Sequence, residues 1–438
     1  MKNKDDNKKI IIDLLNIINK ILKKYKKNIK KNQVNIPFYS NGFLDSLDFV
    51  NLIQQIEKKY NFKFNLSEID IDVSIKDLSK LVLRKKKMSS KFNIGLFGIN
   101  SSSGLSLTKN KSRWKAEWKE ITKLVKYVDK NNFDFILPLS KWKGWGGETD
   151  PNKLSYETLS FASLLLPLTK KILFYSTIHL PFVHPVFAAK AASTILAAYP
   201  KRYGVNLVCG WNESEYQMFY KLNKNFSFER YKYGTEWIKI FKNLINTNKR
   251  INLNGKFFNI KDADLLSKNI YKLPLISAAY SKEGRKFAVK NCNILFTMFD
   301  NFERTKKINE ELILNSKKQG KKIKLYTPIH IICRDSESEA NDFHHQYSEV
   351  DQDRKAVYNF IKNVAVANKK TLFKIMKSKS SIIASSCGSK IIKGSPKQVC
   401  EQLRELSSAK FSGAAFSFVN YLKEVKYFKE NVLNKKPF

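Results

Sequence analysis

Cysteine is scarce in this 438-residue chain: Cys209, Cys292, Cys333, Cys387 and Cys400 are the only five, and no Cys-x-x-Cys spacing links them. Scattered and odd in number, they argue against a disulfide scaffold or a structural zinc centre and suit a reducing, cytoplasmic compartment. Acidic residues are also few, 39 against 80 Lys and Arg, leaving a net charge of +41. Such a balance ordinarily points to nucleic acid or an anionic surface. Here the lysines run along the whole chain without a nucleic-acid motif, so a solvated basic surface is expected and nucleic-acid binding is not. Long apolar runs are missing too. No stretch approaches the roughly 20 apolar residues that a membrane-spanning helix needs. Ile10 to Leu22 is broken by Asp13, Asn16, Asn19 and Lys20, unlike a secretory leader. His179 and His184 lack a third ligand at useful spacing, so no metal is expected.

What is present divides the chain into a helical module over residues 1–84, a charged linker over 85–91 and a large module over 92–438. In the first, Ile11, Leu14, Leu15, Ile18 and Leu22 recur at helical spacing. A second helix is expected from Ser46, with Leu47, Val50, Ile53 and Ile56 along one face, Asp45 as its cap and Gly42 allowing a sharp entry. A third pattern, Asp72 to Leu83, opens acidic and closes on the basic run Arg84–Lys87, as the helix dipole favours. The linker would keep the modules near each other and raise the effective concentration of anything tethered to the first.

In the large module short apolar runs alternate with helical patterns. Asn93–Phe97, Phe133–Leu137, Ile172–Tyr175, Val205–Val208, Leu275–Ala278 and Asn293–Phe296 read as strands, and Phe416–Phe418 as the last of them. Strand and helix in turn imply parallel strands with crossover helices. About 345 residues of this pattern fit an α/β TIM barrel better than an open doubly wound sheet, and no Gly-x-Gly-x-x-Gly follows the first strand. Chemistry should then sit just after the strand ends, where Leu137–Gly147, Ser176–His179 and Cys209–Glu215 fall. The acidic stretch Asp335–Asp353 reads as a solvated loop or lid.

Asp45-Ser46-Leu47 at the head of a second helix resembles the acyl and peptidyl carrier proteins. That resemblance implies 4'-phosphopantetheine on Ser46, placed there by a phosphopantetheinyl transferase, and an exposed hydroxyl at a helix N-terminus is electrostatically suited to a phosphate. The usual acidic second helix is diluted here by Lys58 and Lys59. The large module carries Phe133-Asp134-Phe135, His184–Lys190, Arg202–Trp211 and Glu229-Arg230-Tyr231 in an order that resembles the luciferase-like flavin monooxygenases, the branch with dimethylsulfone and pyrimidine-ring enzymes. By that resemblance FMN is the cofactor, reduced by a separate flavin reductase. Ser140 and Lys141 match the segment beside the isoalloxazine, Asn206 and Glu215 further flavin contacts, Arg230 and Tyr231 the phosphate-end pair, and Ser281 the phosphate-binding turn. Ala279 stands where relatives have glycine. Thr177 and Asn206 match residues that position dioxygen, the catalytic role, while Leu137 and Trp211 match the pocket walls.

Together the two resemblances imply a monooxygenase that inserts one oxygen atom into an acyl or aminoacyl substrate tethered to a carrier, beside polyketide or nonribosomal peptide synthase components. Self-association into a homo-oligomer is expected from the relatives. Two other readings stay open: a carrier or docking scaffold with an inactive barrel, and a monooxygenase acting on a free small molecule.

Overall fold

A computed structural model describes residues 2–60, 64, 69–219, 226–246, 250–265, 272–365 and 369–438. They form two compact units, Met1–Lys91 and Phe92–Phe438.

The first unit holds three helices, α1 (Lys2–Leu22), α2 (Ser46–Tyr60) and α3 (Ile75–Ser90). Ile10, Leu14, Ile18 and Leu22 of α1 meet Phe49, Leu52, Ile53 and Ile56 of α2 and Ile75, Leu78 and Val82 of α3 in one core. The stripe on α2 differs from expectation, since Leu47 and Val50 are 77% and 48% exposed. Phe49, Leu52, Ile53 and Ile56 form the i, i+3, i+4, i+7 set, and only that set keeps Ile53 and Ile56 in the core together with its neighbours. Gly42 enters the turn with φ +64°, and Asp45 caps α2 by accepting the Asp48 N–H at 2.7 Å. Ser74, rather than Asp72, caps α3. Asp72 accepts the N–H groups of Tyr39 and Ser40 instead. Residues 85–90, expected as linker, continue α3 to Ser90. No Gly or Pro interrupts them, and Lys and Met are good helix formers.

The second unit contains strands β1 (Asn93–Phe97), β2 (Phe135–Leu137), β3 (Leu173–His179), β4 (Tyr203–Val208), β5 (Ile251–Asn254), β6 (Asn259–Ala263), β7 (Leu275–Ala278), β8 (Ile294–Phe296), β9 (Lys324–Cys333), β10 (Lys390–Gly394) and β11 (Gly413–Ser417). Eight of them, in the order β1-β2-β3-β4-β7-β8-β9-β11, are parallel, and β11 pairs back onto β1 to close the barrel expected from the strand–helix alternation. Strands β9 and β10 and the hairpin β5–β6 were not among the strands read from the sequence. Strand β9 pairs with β8 through residues 324–326 and with β10 through 329–333. Pro328, which has no N–H to give, lies between the two partnerships.

Side chains alternate along each strand. Phe135, Leu137, Tyr175, Ile276, Phe296, Tyr326 and Ala415 fill the barrel interior. Gly204 leaves room for one of them, because a Cβ there would lie 2.4 Å from the Tyr175 ring. Outside, helices such as Trp118–Lys130 bury Ile121, Leu124, Val125 and Val128 against the strands. The acidic stretch expected as a solvated loop is instead a helix, Glu337–His345, continued by the wider turn Gln346–Val350. Ala340 and Tyr347 are its fully buried anchors, which is why charge on the remaining faces does not leave it unfolded.

Because Leu52 is fully buried at the centre of the first unit, Leu52→Ala should cost about 2–5 kcal/mol in denaturant unfolding of that unit. A loss below about 1 kcal/mol would contradict the packing described.

Candidate active site at the carboxyl-terminal end of the barrel

The loop leaving β2 and the segment after β4 converge on a buried charge pair. Lys141 and Glu215 side chains are 6% and 0% exposed, and the ammonium binds the Glu215 Oε1. The N–H groups of Trp142 and Lys143 lie 3.4 Å from the same oxygen. Lys141 Nζ sits 3.8 Å from the centre of the Trp145 ring and 5.9 Å from that of Trp211. Burial pulls the Lys141 ammonium below the usual lysine range, and the carboxylate opposes that pull. Glu215 Oε2 is buried with no hydrogen-bond partner among the described residues.

Thr177 and Asn206 are register partners on β3 and β4. Asn206 Nδ2 donates to Thr177 Oγ1 at 3.2 Å, and that hydroxyl donates to the Pro138 carbonyl at 2.6 Å. Every polar hydrogen here except one on the amide is spent within the protein, and the buried Asn206 Oδ1 has no partner among the described residues. Thr177 and His179 were expected after the strand; β3 runs through both, because its pairing with β4 continues to His179 opposite Val208. Leu137 is fully buried at the end of β2, Ser140 is half-buried beyond it, and Trp211 is 43% exposed.

A second cluster lies on the helices that follow β4 and β7. Arg230, on the helix Phe226–Asn246, donates to the Gly210 carbonyl at 2.9 Å and lies over the Tyr231 ring, while its Nε is buried without a partner among the described residues. Tyr231 Oη is 3.0 Å from Ser281 Oγ. Ser281 caps the helix Lys282–Asn291 by accepting the Gly284 N–H at 3.1 Å. A Cβ on Gly284 would stand 2.6 Å from Tyr231 Oη and 2.9 Å from the Ala279 methyl. The cradle is therefore open only because residue 284 is glycine, and Ala279 already crowds it.

Sequence reasoning left Trp145, Tyr216 and Gly284 without roles. Trp145 stacks on the lysine charge, and Tyr216 Oη accepts the Trp211 N–H at 2.9 Å. Trp145 was legible only as part of an aromatic, glycine-rich stretch; its contact with residue 141 depends on the loop's path. His184 accepts the Val186 N–H as a helix cap. His179 is buried, with Nδ1 3.5 Å from Tyr216 Oη, and burial together with the Lys141 charge pushes its pKa down to about 3.

The unfolded chain takes up a proton at residue 179 near pH 6.5, whereas the folded chain resists it to about 3. The stabilising contribution is therefore complete above pH 6.5 and declines as pH falls toward 3, by up to about 1.4 kcal/mol per pH unit. Denaturation midpoints measured from pH 7 to 4 should fall less steeply in His179→Phe than in the native protein. Identical slopes would show that His179 is not held neutral.

The profile of the luciferase-like monooxygenase family matches residues 94–413, and that of the phosphopantetheine attachment site matches residues 13–82. Pyrimidine monooxygenase RutA of Acinetobacter baylyi is 25% identical over 348 residues, covering 77% of this chain and 93% of that protein. Its counterpart from Caulobacter vibrioides is 28% identical over 206 residues, covering 47% of this chain and 58% of the relative, so that alignment spans little more than half the relative's length. Among solved structures, DmoA from Hyphomicrobium sulfonivorans superposes with a TM-score of 0.67 at 14% identity, over 79% of this chain and 88% of that one. The long-chain alkane monooxygenase LadA gives 0.68 at 17% identity, over 79% and 91%. At such identities the superpositions show the fold. The long family match joins them to the sequence order of the motifs: the chain belongs to the luciferase-like monooxygenase family and carries a phosphopantetheine attachment domain ahead of the barrel.

Proposed function

We propose that the barrel binds FMN, reduced by a separate flavin reductase, and inserts one oxygen atom from dioxygen into an acyl or aminoacyl group carried as a thioester on the phosphopantetheine arm of Ser46. The observation that carries this reading is the set of buried, unspent polar atoms at the barrel mouth. Asn206 Oδ1 and Glu215 Oε2 are acceptors without donors, and Arg230 Nε is a donor without an acceptor, among the described residues. Leaving such groups unpaired costs about 1–3 kcal/mol each, a cost that a bound ring system with imide and phosphate groups would remove. Ser140, Lys141, Asn206 and Glu215 would hold the ring system. Arg230, Tyr231, Ser281 and the N-terminus of the helix Lys282–Asn291 would hold the phosphate, since unspent N–H groups and a guanidinium both favour an anion.

Bound reduced flavin supplies the electrons that activate dioxygen. The protein's part is to orient and to exclude water. Thr177 and Asn206 would fix the position of oxygen, Leu137 and Trp211 would wall the pocket, and the Lys141–Glu215 pair would hold the loops after β2 and β4 together over it. On the first unit, Ser46 is exposed at the start of α2 with the apolar Leu47 beside it, a surface that a phosphopantetheinyl transferase can grip. A carrier joined to an oxygenase suits tailoring within polyketide or nonribosomal peptide biosynthesis. The pyrimidine monooxygenase relatives favour one other reading, in which the barrel oxidises a free small molecule.

Two measurements test the assignments. Tyr231→Phe combined with Ser281→Ala should weaken FMN binding by about tenfold or more, from loss of hydrogen bonds to an anion, while leaving riboflavin binding unchanged; equal loss for both flavins would overturn the phosphate-end assignment. Treatment with coenzyme A and a phosphopantetheinyl transferase should add one phosphopantetheine to the native chain and none to Ser46→Ala. Oxygen incorporation into a free acid but not into the acyl group loaded on Ser46 would replace the tethered-substrate reading with the free-substrate one.

A further inference from the structure

Across the barrel from Thr177 and Asn206 lies a second buried polar group that the flavin reading does not use. In the closed strand order β1-β2-β3-β4-β7-β8-β9-β11, β9 is four places from β3 and β11 is four places from β4. His330 on β9 and Ser417 on β11 are register partners near the carboxyl-terminal ends of these strands. By alternation His330 shares the strand face of Tyr326, and Ser417 that of Ala415, two residues of the barrel interior. Both His330 and Ser417 are fully buried.

The hydrogen bonds of the pair define what remains. His330 Nδ1 is 2.9 Å from Ser417 Oγ, and Ser417 Oγ lies 3.4 Å from the Ile329 carbonyl. With Nδ1–H donating to Oγ and Oγ–H donating to the carbonyl, both protons are used. What is left over is the lone pair on Nε2, which is buried and has no partner among the described residues. The opposite tautomer would strand an N–H in the same place and leave the Ile329 carbonyl without this proton. The Tyr347 ring stands 6.1 Å from the imidazole, and its buried hydroxyl lies beside Ser385. The acceptor on β9 and the Tyr347 ring on the turn Gln346–Val350 are thus neighbours. The His344 imidazole, the other titratable group near His330, is occupied by Ser385 at 2.7 Å and by Lys393 at 3.3 Å. Burial keeps His330 neutral, with its pKa pushed down to about 3.

We propose that His330 Nε2, oriented by Ser417 and flanked by Tyr347, is a substrate-positioning site that accepts a hydrogen bond from a hydroxyl on the substrate. A hydroxyl suits a bare, buried and neutral acceptor, because it donates one hydrogen bond and brings no charge that would have to be desolvated. The inference rests on the oxygenase reading for its substrate, an acyl thioester, and adds that the acyl chain bears a hydroxyl group. It assigns no bond-making step to the histidine.

The test uses the full chain loaded with FMN and the N-acetylcysteamine thioesters of butyrate and of 2-, 3- and 4-hydroxybutyrate, which differ only in the hydroxyl. At least one hydroxybutyryl thioester should bind about tenfold more tightly than the butyryl thioester. That preference should vanish in His330→Leu and partly return in His330→Gln, with FMN affinity unchanged in every variant. In nitrogen-15 spectra of the native protein labelled at histidine, the His330 Nε2 signal should have the position of a bare acceptor and shift on adding the preferred thioester. No preference for any hydroxylated probe, a preference kept in His330→Leu, or a proton found on Nε2 would each overturn the proposal, as would an unmoved signal, which would mark the space as one for ordered water only. Loss of FMN binding by the native chain would instead sink the flavin reading, and the spectra without FMN would still decide the role of His330.

Discussion

Closure of eight parallel strands is the constraint on which the rest depends. A strand in a closed barrel has only an inner and an outer face, and alternation forces every second residue onto the axis. With Phe135, Tyr175 and Tyr326 filling the interior, the inward residues nearest the carboxyl-terminal rim have only that end to face. Thr177, Asn206, His330 and Ser417 lie on that inward face, toward that end of their strands. None of them is polar by accident of surface exposure, since all four are nearly or fully buried. A buried polar group must find a partner in the protein or in a ligand, and the unspent atoms of this rim are what supports the chemistry proposed there.

The Lys141–Glu215 pair imposes a second condition on the same rim. Burying two opposite charges is weak evidence for stability, because desolvation offsets much of the attraction. Its consequence is geometric: removing either partner strands the other in a dry site, so the loops after β2 and β4 are tied to each other. Trp145 and Trp211, ranged about the ammonium, add cation–π attraction and exclude water from the pair. The cluster proposed for the phosphate is built on different physics. There a capped helix N-terminus, a tyrosine hydroxyl and a residue without a side chain leave a concave donor surface, and the Ala279 methyl limits its size.

Most of the barrel was legible from periodicity, since short, mostly apolar runs such as Asn93–Phe97 and Leu275–Ala278 alternate with helical patterns, as strands covered on both faces do. Strand β9 was missed although it is ten residues long. Pro328 in its middle argues against a strand by local rules, and only the change of partner from β8 to β10 makes a proline harmless there. The Asp335–Asp353 stretch misled in the opposite direction. Its charge reads as loop, and the packing of Ala340 and Tyr347 makes it helix. On α2 the sequence allowed more than one apolar stripe, and the placement of α1 and α3 selected Phe49 and Leu52 over Leu47 and Val50.

Local chemistry alone determined the boundaries that depend on local chemistry: the Asp45 cap and Gly42 turn that begin α2 at Ser46, and the alternation of strand and helix. The order of motifs likewise singled out Lys141 and Glu215, and Thr177 and Asn206, pairs that the fold brings into contact. Only the tertiary structure decided which of their atoms are left unpaired, because hydrogen-bond satisfaction depends on neighbours far apart in the chain. Asn206 spends an amide N–H on Thr177 while its oxygen has no partner among the described residues, and His330 meets Ser417 from 87 residues away. Sequence lists donors and acceptors; the closed barrel determines which of them remain for a ligand.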